Sequence, residues 1–147
     1  MGLDMYLSAK RFLWYNEDEL VNKLTSNFPE LGEAKVKRIE AEIGYWRKAN
    51  QIHKWFVDNV QEGEDDCGDY EVSKEQLKEL LDLIDQVLAD KSQAPNLLPN
   101  TNGFFFGSQD YDEYYFQDLE YTKKLIEGVL SNEELSKHWC LEYTSSW

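Results

Sequence analysis

Cysteine, histidine, proline and basic side chains are all scarce in this chain, and most of these shortages exclude something. Two cysteines, Cys67 and Cys140, are too few for a disulfide framework. With His53 and His138 they lack the spacing of a zinc signature, and no metal and no cofactor is expected. Cys67 lies among acids, a poor setting for a nucleophile. No apolar run approaches the roughly 18 residues of a membrane-spanning helix. Asp4 stands where a signal peptide carries positive charge, and Leu3-Asp4-Met5-Tyr6 lacks the Ser or Thr of a myristoylation signal. A cytoplasmic protein with reduced thiols is the expectation.

The shortage of cations is the most informative. Fifteen Lys plus Arg face 29 Asp plus Glu, a formal net charge of -14. Nucleic-acid binding needs clustered cations for phosphate, as does an anionic membrane surface, so neither is an expected partner. No phosphate loop, dinucleotide fingerprint or nucleophile-base arrangement is present, and a non-enzymatic protein is expected.

What the chain does have is length and aromatic rings. Its 147 residues, 14% of them aromatic, suffice for one packed domain spanning 1–147. Leu3, Met5 and Leu7 alternate with polar residues, predicting a strand near 3–10. Asn16 is placed to cap a short helix carrying Leu20, Val21 and Leu24. Residues 36–45 alternate again, with Ile39, Ala41, Ile43 and Tyr45 on one face; a helical reading of 38–43 is also open. Ile52, Trp55, Phe56 and Val60 have helical spacing. Residues 61–71 read as an acidic surface loop. Ser73 and Gln76 form a capping-box pattern before the stripe of Leu77, Leu80, Leu81, Ile84, Val87 and Leu88.

Gly103-Phe104-Phe105-Phe106-Gly107 reads as a short buried strand near 103–106. Ser108 or Asp110 can cap the helix whose face is Tyr115, Leu119, Thr122, Ile126 and Val129. An acidic linker then leads to a final strand near 138–144. The order predicts an α+β fold: a small, mainly antiparallel sheet packed with three or four helices.

Charge is unevenly placed. Residues 61–90 hold eleven acids and only Lys74 and Lys78. Closely spaced carboxylates on a rigid scaffold imitate the field of phosphates, so Glu62, Glu64, Asp65, Asp66 and Asp69 are candidates for contact with a basic partner. Asp110, Asp112 and Glu113 form a second acidic patch. A different reading takes Trp46, Arg47, Lys48, Asn50, His53 and Trp55 as a ligand pocket, with cations for phosphate and a ring for stacking. An amphipathic helix that buries Ile52, Trp55 and Phe56 accounts for the same spacing.

Met1-Gly-Leu-Asp-Met-Tyr-Leu7, Glu42-Ile-Gly-Tyr-Trp-Arg-Lys-Ala-Asn50 with Ile52-His-Lys-Trp-Phe56, Asp66-Cys-Gly-Asp-Tyr70, and Gly103-Phe-Phe-Phe-Gly-Ser108 with Asp110-Tyr-Asp-Glu-Tyr-Tyr-Phe116 resemble a family of small uncharacterised phage and prophage proteins. The resemblance spans most of the chain outside residues 16–34. It implies a genetic setting, an infected or lysogenic bacterium, and assigns no catalytic or ligand residue. Small accessory proteins of phages often counter host defences. The resulting expectation is a protein whose acidic surface blocks a host defence protein, such as a CRISPR effector or a restriction enzyme, at its nucleic-acid-binding surface. The alternative expectation is sequestration of a nucleotide immune signal.

Overall fold

An extended chain with Leu3, Met5 and Leu7 at every second position presents three aliphatic side chains to one side. In the computed structural model, which describes residues 2–14 and 17–147, this segment is strand β1 (Asp4–Phe12). The other strands are β2 (Arg38–Arg47), β3 (Tyr70–Val72) and β4 (Cys140–Ser146). They form one sheet of order β2-β1-β4-β3, and every pairing is antiparallel. The helices are α1 (Asp18–Thr25), α2 (Asn50–Asn59), α3 (Lys74–Ala89), α4 (Ala94–Leu97), α5 (Glu113–Ser131) and α6 (Glu133–His138). The α+β expectation holds, with two short helices, α4 and α6, beyond the predicted number. No helix among the described residues is long and apolar enough to cross a membrane.

The core lies between one sheet face and three helices. The sheet supplies Leu3, Met5, Leu7, Trp46, Leu141 and Tyr143. Ile52, Trp55 and Phe56 come from α2, Leu77, Leu80, Ile84 and Val87 from α3, and Leu119, Ile126 and Val129 from α5. The capping box is formed as its spacing predicts: the Ser73 hydroxyl accepts from the Gln76 N–H, and the Gln76 side chain accepts from the Ser73 N–H. The opposite sheet face is polar, with Asp4, Tyr6, Lys10, Glu142 and Thr144 in register across β1 and β4.

Several sequence expectations need correction. Residues 103–106 are a turn and not a strand: the Phe106 N–H donates to the Gly103 carbonyl at 3.1 Å, and Phe104 is 96% exposed. A Cβ at Gly103 would overlap the Phe106 ring, which folds back over the glycine and is itself buried. The remaining strand is instead β3, which begins in the last two residues of the segment read as a loop and extends one residue past it. The final strand starts at Cys140, because Asn132 caps α6 through its side chain and the helix holds His138. Asp112, rather than Ser108 or Asp110, caps α5, its carboxylate accepting the Tyr115 N–H at 3.1 Å. The predicted Asn16 cap lies outside the described residues.

The face assignment of β2 also changes along the strand. Leu7 pairs with Gly44 but Ser8 pairs with Glu42, so Ile43 is an extra residue in the ladder. Such a bulge inverts the alternation beyond it. Trp46 and Gly44 therefore face the core and Tyr45 is exposed. Gly44 is required for packing, because a Cβ there would overlap Leu125 Cδ2 on α5. Gly44→Ala is expected to destabilise the protein by about 1–2 kcal/mol in denaturant unfolding, from overpacking. Adding Leu125→Ala should recover part of that loss, a non-additivity read from a double-mutant cycle.

Candidate functional site

Helix α2 carries the residue around which the site is built. His53 is 1% exposed, yet both ring nitrogens have partners. Nδ1 lies 2.7 Å from the Tyr143 hydroxyl on β4. Nε2 lies 3.0 Å from Asp65 Oδ2 in the acidic loop. The other Asp65 oxygen accepts the Trp147 indole N–H at 3.1 Å. Burial holds the Tyr143 hydroxyl well above its usual range, so it stays protonated. With Tyr143 donating to Nδ1, a neutral ring donates Nε2–H to Asp65 and every group is satisfied. The order carboxylate, imidazole, hydroxyl matches a nucleophile triad in connectivity. Tyr143, however, has no exposed surface, and its ring stacks on Phe56 at 3.9 Å and 6°. No substrate atom can reach that oxygen in this arrangement.

The chain of bonds forms one wall of a cavity of about 340 Å³. Its lining comprises His53, Lys54, Val57, Asp58 and Asp65 together with residues 101–106 and Trp147. Asn50 holds the 101–108 segment in place. Its amide donates to the Phe106 and Ser108 carbonyls at 3.1 and 2.8 Å, and its Oδ1 accepts the Thr101 N–H at 3.0 Å. Among the described residues, no group of three or more His, Cys, Asp or Glu is placed to hold a metal ion.

The acidic loop is fixed from within. The Gln61 amide donates to the Glu64 carbonyl, and Asp66 accepts from the Gly68 N–H at 2.9 Å and from the Tyr70 hydroxyl. Its loop carboxylates therefore divide. Asp65 and Asp66 hold the loop, whereas Glu62, Glu64 and Asp69 project into solvent without a hydrogen-bond partner among the described residues. No described Lys or Arg forms an ion pair with Glu62, Glu64, Asp66 or Asp69.

The second acidic patch sits elsewhere. Asp110 and Asp112 line a cleft of about 270 Å³ with Arg47, Lys48 and Asp118, and this cleft shares no lining residue with the His53 cavity. Glu113 is exposed in the first turn of α5. Asp118 was missed by sequence reasoning. Burial pushes its carboxyl up to about 6; the Gln51 amide opposes that rise and Asp112 adds to it.

The six residues of the alternative ligand pocket are not brought together. Trp46 and Trp55 are core residues, the Trp46 indole donating to Thr122 Oγ1 at 2.8 Å. Asn50 is spent on the loop. The Arg47 guanidinium lies 3.9 Å from Asp4, Arg47 and Lys48 line a cleft shared with Asp110, Asp112 and Asp118, and His53 lines the other cavity. Tyr143, Trp147 and Phe104 were also missed, since nothing in their local spacing connects them with His53.

Two expectations follow. Asp65→Lys should cost about 3 kcal/mol or more in thermal or denaturant unfolding, because it removes the acceptor for His53 and for the Trp147 indole and places a cation beside the imidazole. Glu64→Lys, in the exposed part of the same loop, should stay within about 0.5 kcal/mol. For Asp118 the folded group holds its proton to higher pH than the unfolded one. Its burial therefore costs stability above pH ~6, and the cost vanishes below pH ~4. Asp118→Asn should raise stability at pH 7 by about 1 kcal/mol after discounting for solvent screening, read as a higher thermal midpoint, and give no gain at pH 3.5.

Compared with known proteins, the chain matches no family model, no curated protein and no solved structure.

Proposed function

We propose that this is a non-enzymatic binding protein that offers its acidic loop to the basic, nucleic-acid-binding surface of another protein. One observation carries the reading: the carboxylates of Glu62, Glu64, Asp66 and Asp69 have no cationic partner among the described residues, yet the loop that bears them is bonded to the core through Asp65. Unneutralised charge retains its field for a partner. A loop already held in one shape loses little entropy on binding. Glu62, Glu64 and Asp69 make the contact; Asp65 and Asp66 keep the geometry. Asp110 and Asp112 contribute less, because Arg47 and Lys48 share their cleft.

The phage resemblance points to a host defence protein as the partner, a CRISPR effector or a restriction enzyme, both of which present basic nucleic-acid channels. The protein would compete with nucleic acid for that channel and carry out no chemistry of its own.

The test uses bacteria carrying an active restriction or CRISPR system and a plasmid that the system targets. Expression of the protein should raise transformation by that plasmid. The triple variant Glu62→Gln, Glu64→Gln, Asp69→Asn should lose about tenfold or more of this protection with an unchanged melting temperature, since each removed carboxylate weakens the field. The purified complex should dissociate as salt rises from roughly 0.05 to 0.5 M. Full protection by the triple variant, or a complex indifferent to salt, overturns the reading.

A further inference from the structure

The cavity beside the acidic loop has features that loop charge alone does not explain. Phe104 stands 96% exposed at its edge and Trp147 is 48% exposed. A phenylalanine ring in solvent contributes nothing to the core. Here it is held there by the turn at 103–106 and by the Asn50 bonds that fix the segment. Phe105 supports it edge-on at 4.8 Å and 87°. Phe104 and Trp147 thus give the cavity exposed aromatic surface.

Two carboxylates, Asp58 and Asp65, belong to the same lining. Each oxygen of Asp65 accepts one hydrogen bond, from His53 and from Trp147, so each keeps a free lone pair. Asp58 is bonded to Lys54 at 2.6 Å through Oδ2 alone, and Oδ1 has no partner among the described residues. Lys54, the one cationic side chain in the lining, is thus already neutralised. Two carboxylates, Asp58 and Asp65, line the cavity against that one lysine, and Glu64 and Asp66 flank Asp65 in sequence. At about 340 Å³ the cavity is at the small end of ligand sites, the size for one long side chain rather than for a folded segment.

The geometry points to this cavity as the receptor for an arginine side chain of the basic partner; this inference rests on the acidic-loop reading and names the residue that the partner inserts. Arginine suits both kinds of lining group at once. Its planar guanidinium stacks on aromatic faces such as Phe104 and Trp147, and its fork of N–H donors matches a carboxylate. Lysine, a compact point charge, has no such plane to stack and makes no bidentate bond. The acidic loop draws the partner in through its field, and the cavity selects which cation is seated.

The test is an NMR titration of the protein with N-acetyl-arginine amide and, separately, N-acetyl-lysine amide. The Trp147 indole N–H signal is the reporter, assigned with Trp147→Phe. Arginine should move that signal saturably and bind about fivefold more tightly than lysine, because only the guanidinium stacks as a plane on a ring and bonds a carboxylate through two donors. Phe104→Ala should weaken arginine binding by a similar ~5-fold without lowering the melting temperature, because that ring lies in solvent. No movement of Trp147, equal affinity for the two amides, or full arginine affinity in Phe104→Ala overturns the inference. The two readings fail separately. If arginine leaves Trp147 unmoved while the triple loop variant still abolishes plasmid protection, the cavity inference falls and the loop reading stands. If arginine binds as described while the triple variant protects fully, the loop reading falls and the arginine site remains.

Discussion

A buried imidazole with both nitrogens bonded joins three parts of this protein that would otherwise be independent. His53 belongs to α2, Tyr143 to β4 and Asp65 to the acidic loop. Removing any one partner leaves a polar group sealed from water, at a cost of about 1–3 kcal/mol per orphaned group. The same chain continues to the Trp147 indole, so the loop is tied to the sheet as well as to the helix. This arrangement makes the loop a structured surface. Without it, the internal bonds of residues 61–70 would remain, but the loop would lose its side-chain tie to α2 and to the end of β4.

The constraint also explains how polar residues are distributed around the core. Asn50 and His53 are both buried polar side chains of α2, three residues apart on one helix face, and each holds a segment that has no regular structure of its own. Asn50 fixes the phenylalanine turn; His53 fixes the acidic loop. One short helix therefore organises both borders of the cavity, while Ile52, Trp55 and Phe56 anchor it in the core. The helix itself is joined to β2 through Lys48 in a left-handed backbone conformation (φ 59°), whose N–H donates to the Leu3 carbonyl at 2.8 Å.

What was legible in the sequence was what local chemistry decides. The alternation at Leu3, Met5 and Leu7, the cap at Ser73 and Gln76, and the face Tyr115, Leu119, Thr122, Ile126, Val129 are all realised as read. What was not legible depends on distant partners. Tyr70–Val72 is a strand only because β4 lies beside it. Ile43 shifts the register of β2, which no pattern of alternation reveals. The phenylalanine run looked like buried strand because hydrophobicity was taken as burial, whereas Gly103 lets the chain turn and leaves Phe104 outside. The acid cluster was visible, but the division between Asp65, which holds, and Glu62 or Glu64, which project, required knowing what faces each carboxylate. For α6 the signal was present in Asn132 with Glu133 and Glu134 and went unread.

The pairing of β1 with β4 brings opposite ends of the chain side by side, Met5 against Ser145 and Leu7 against Tyr143. Contacts so far apart in sequence form late, because closing the intervening loop costs entropy before any pairing offsets it. During synthesis β1 can find β2 early, but its other edge stays open until β4 emerges. Tyr143 and Trp147, the groups that hold His53 and Asp65, arrive with that same strand. The acidic loop is therefore made long before its anchors at Tyr143 and Trp147 exist. Completion of the sheet and anchoring of the acidic loop to the core are one event.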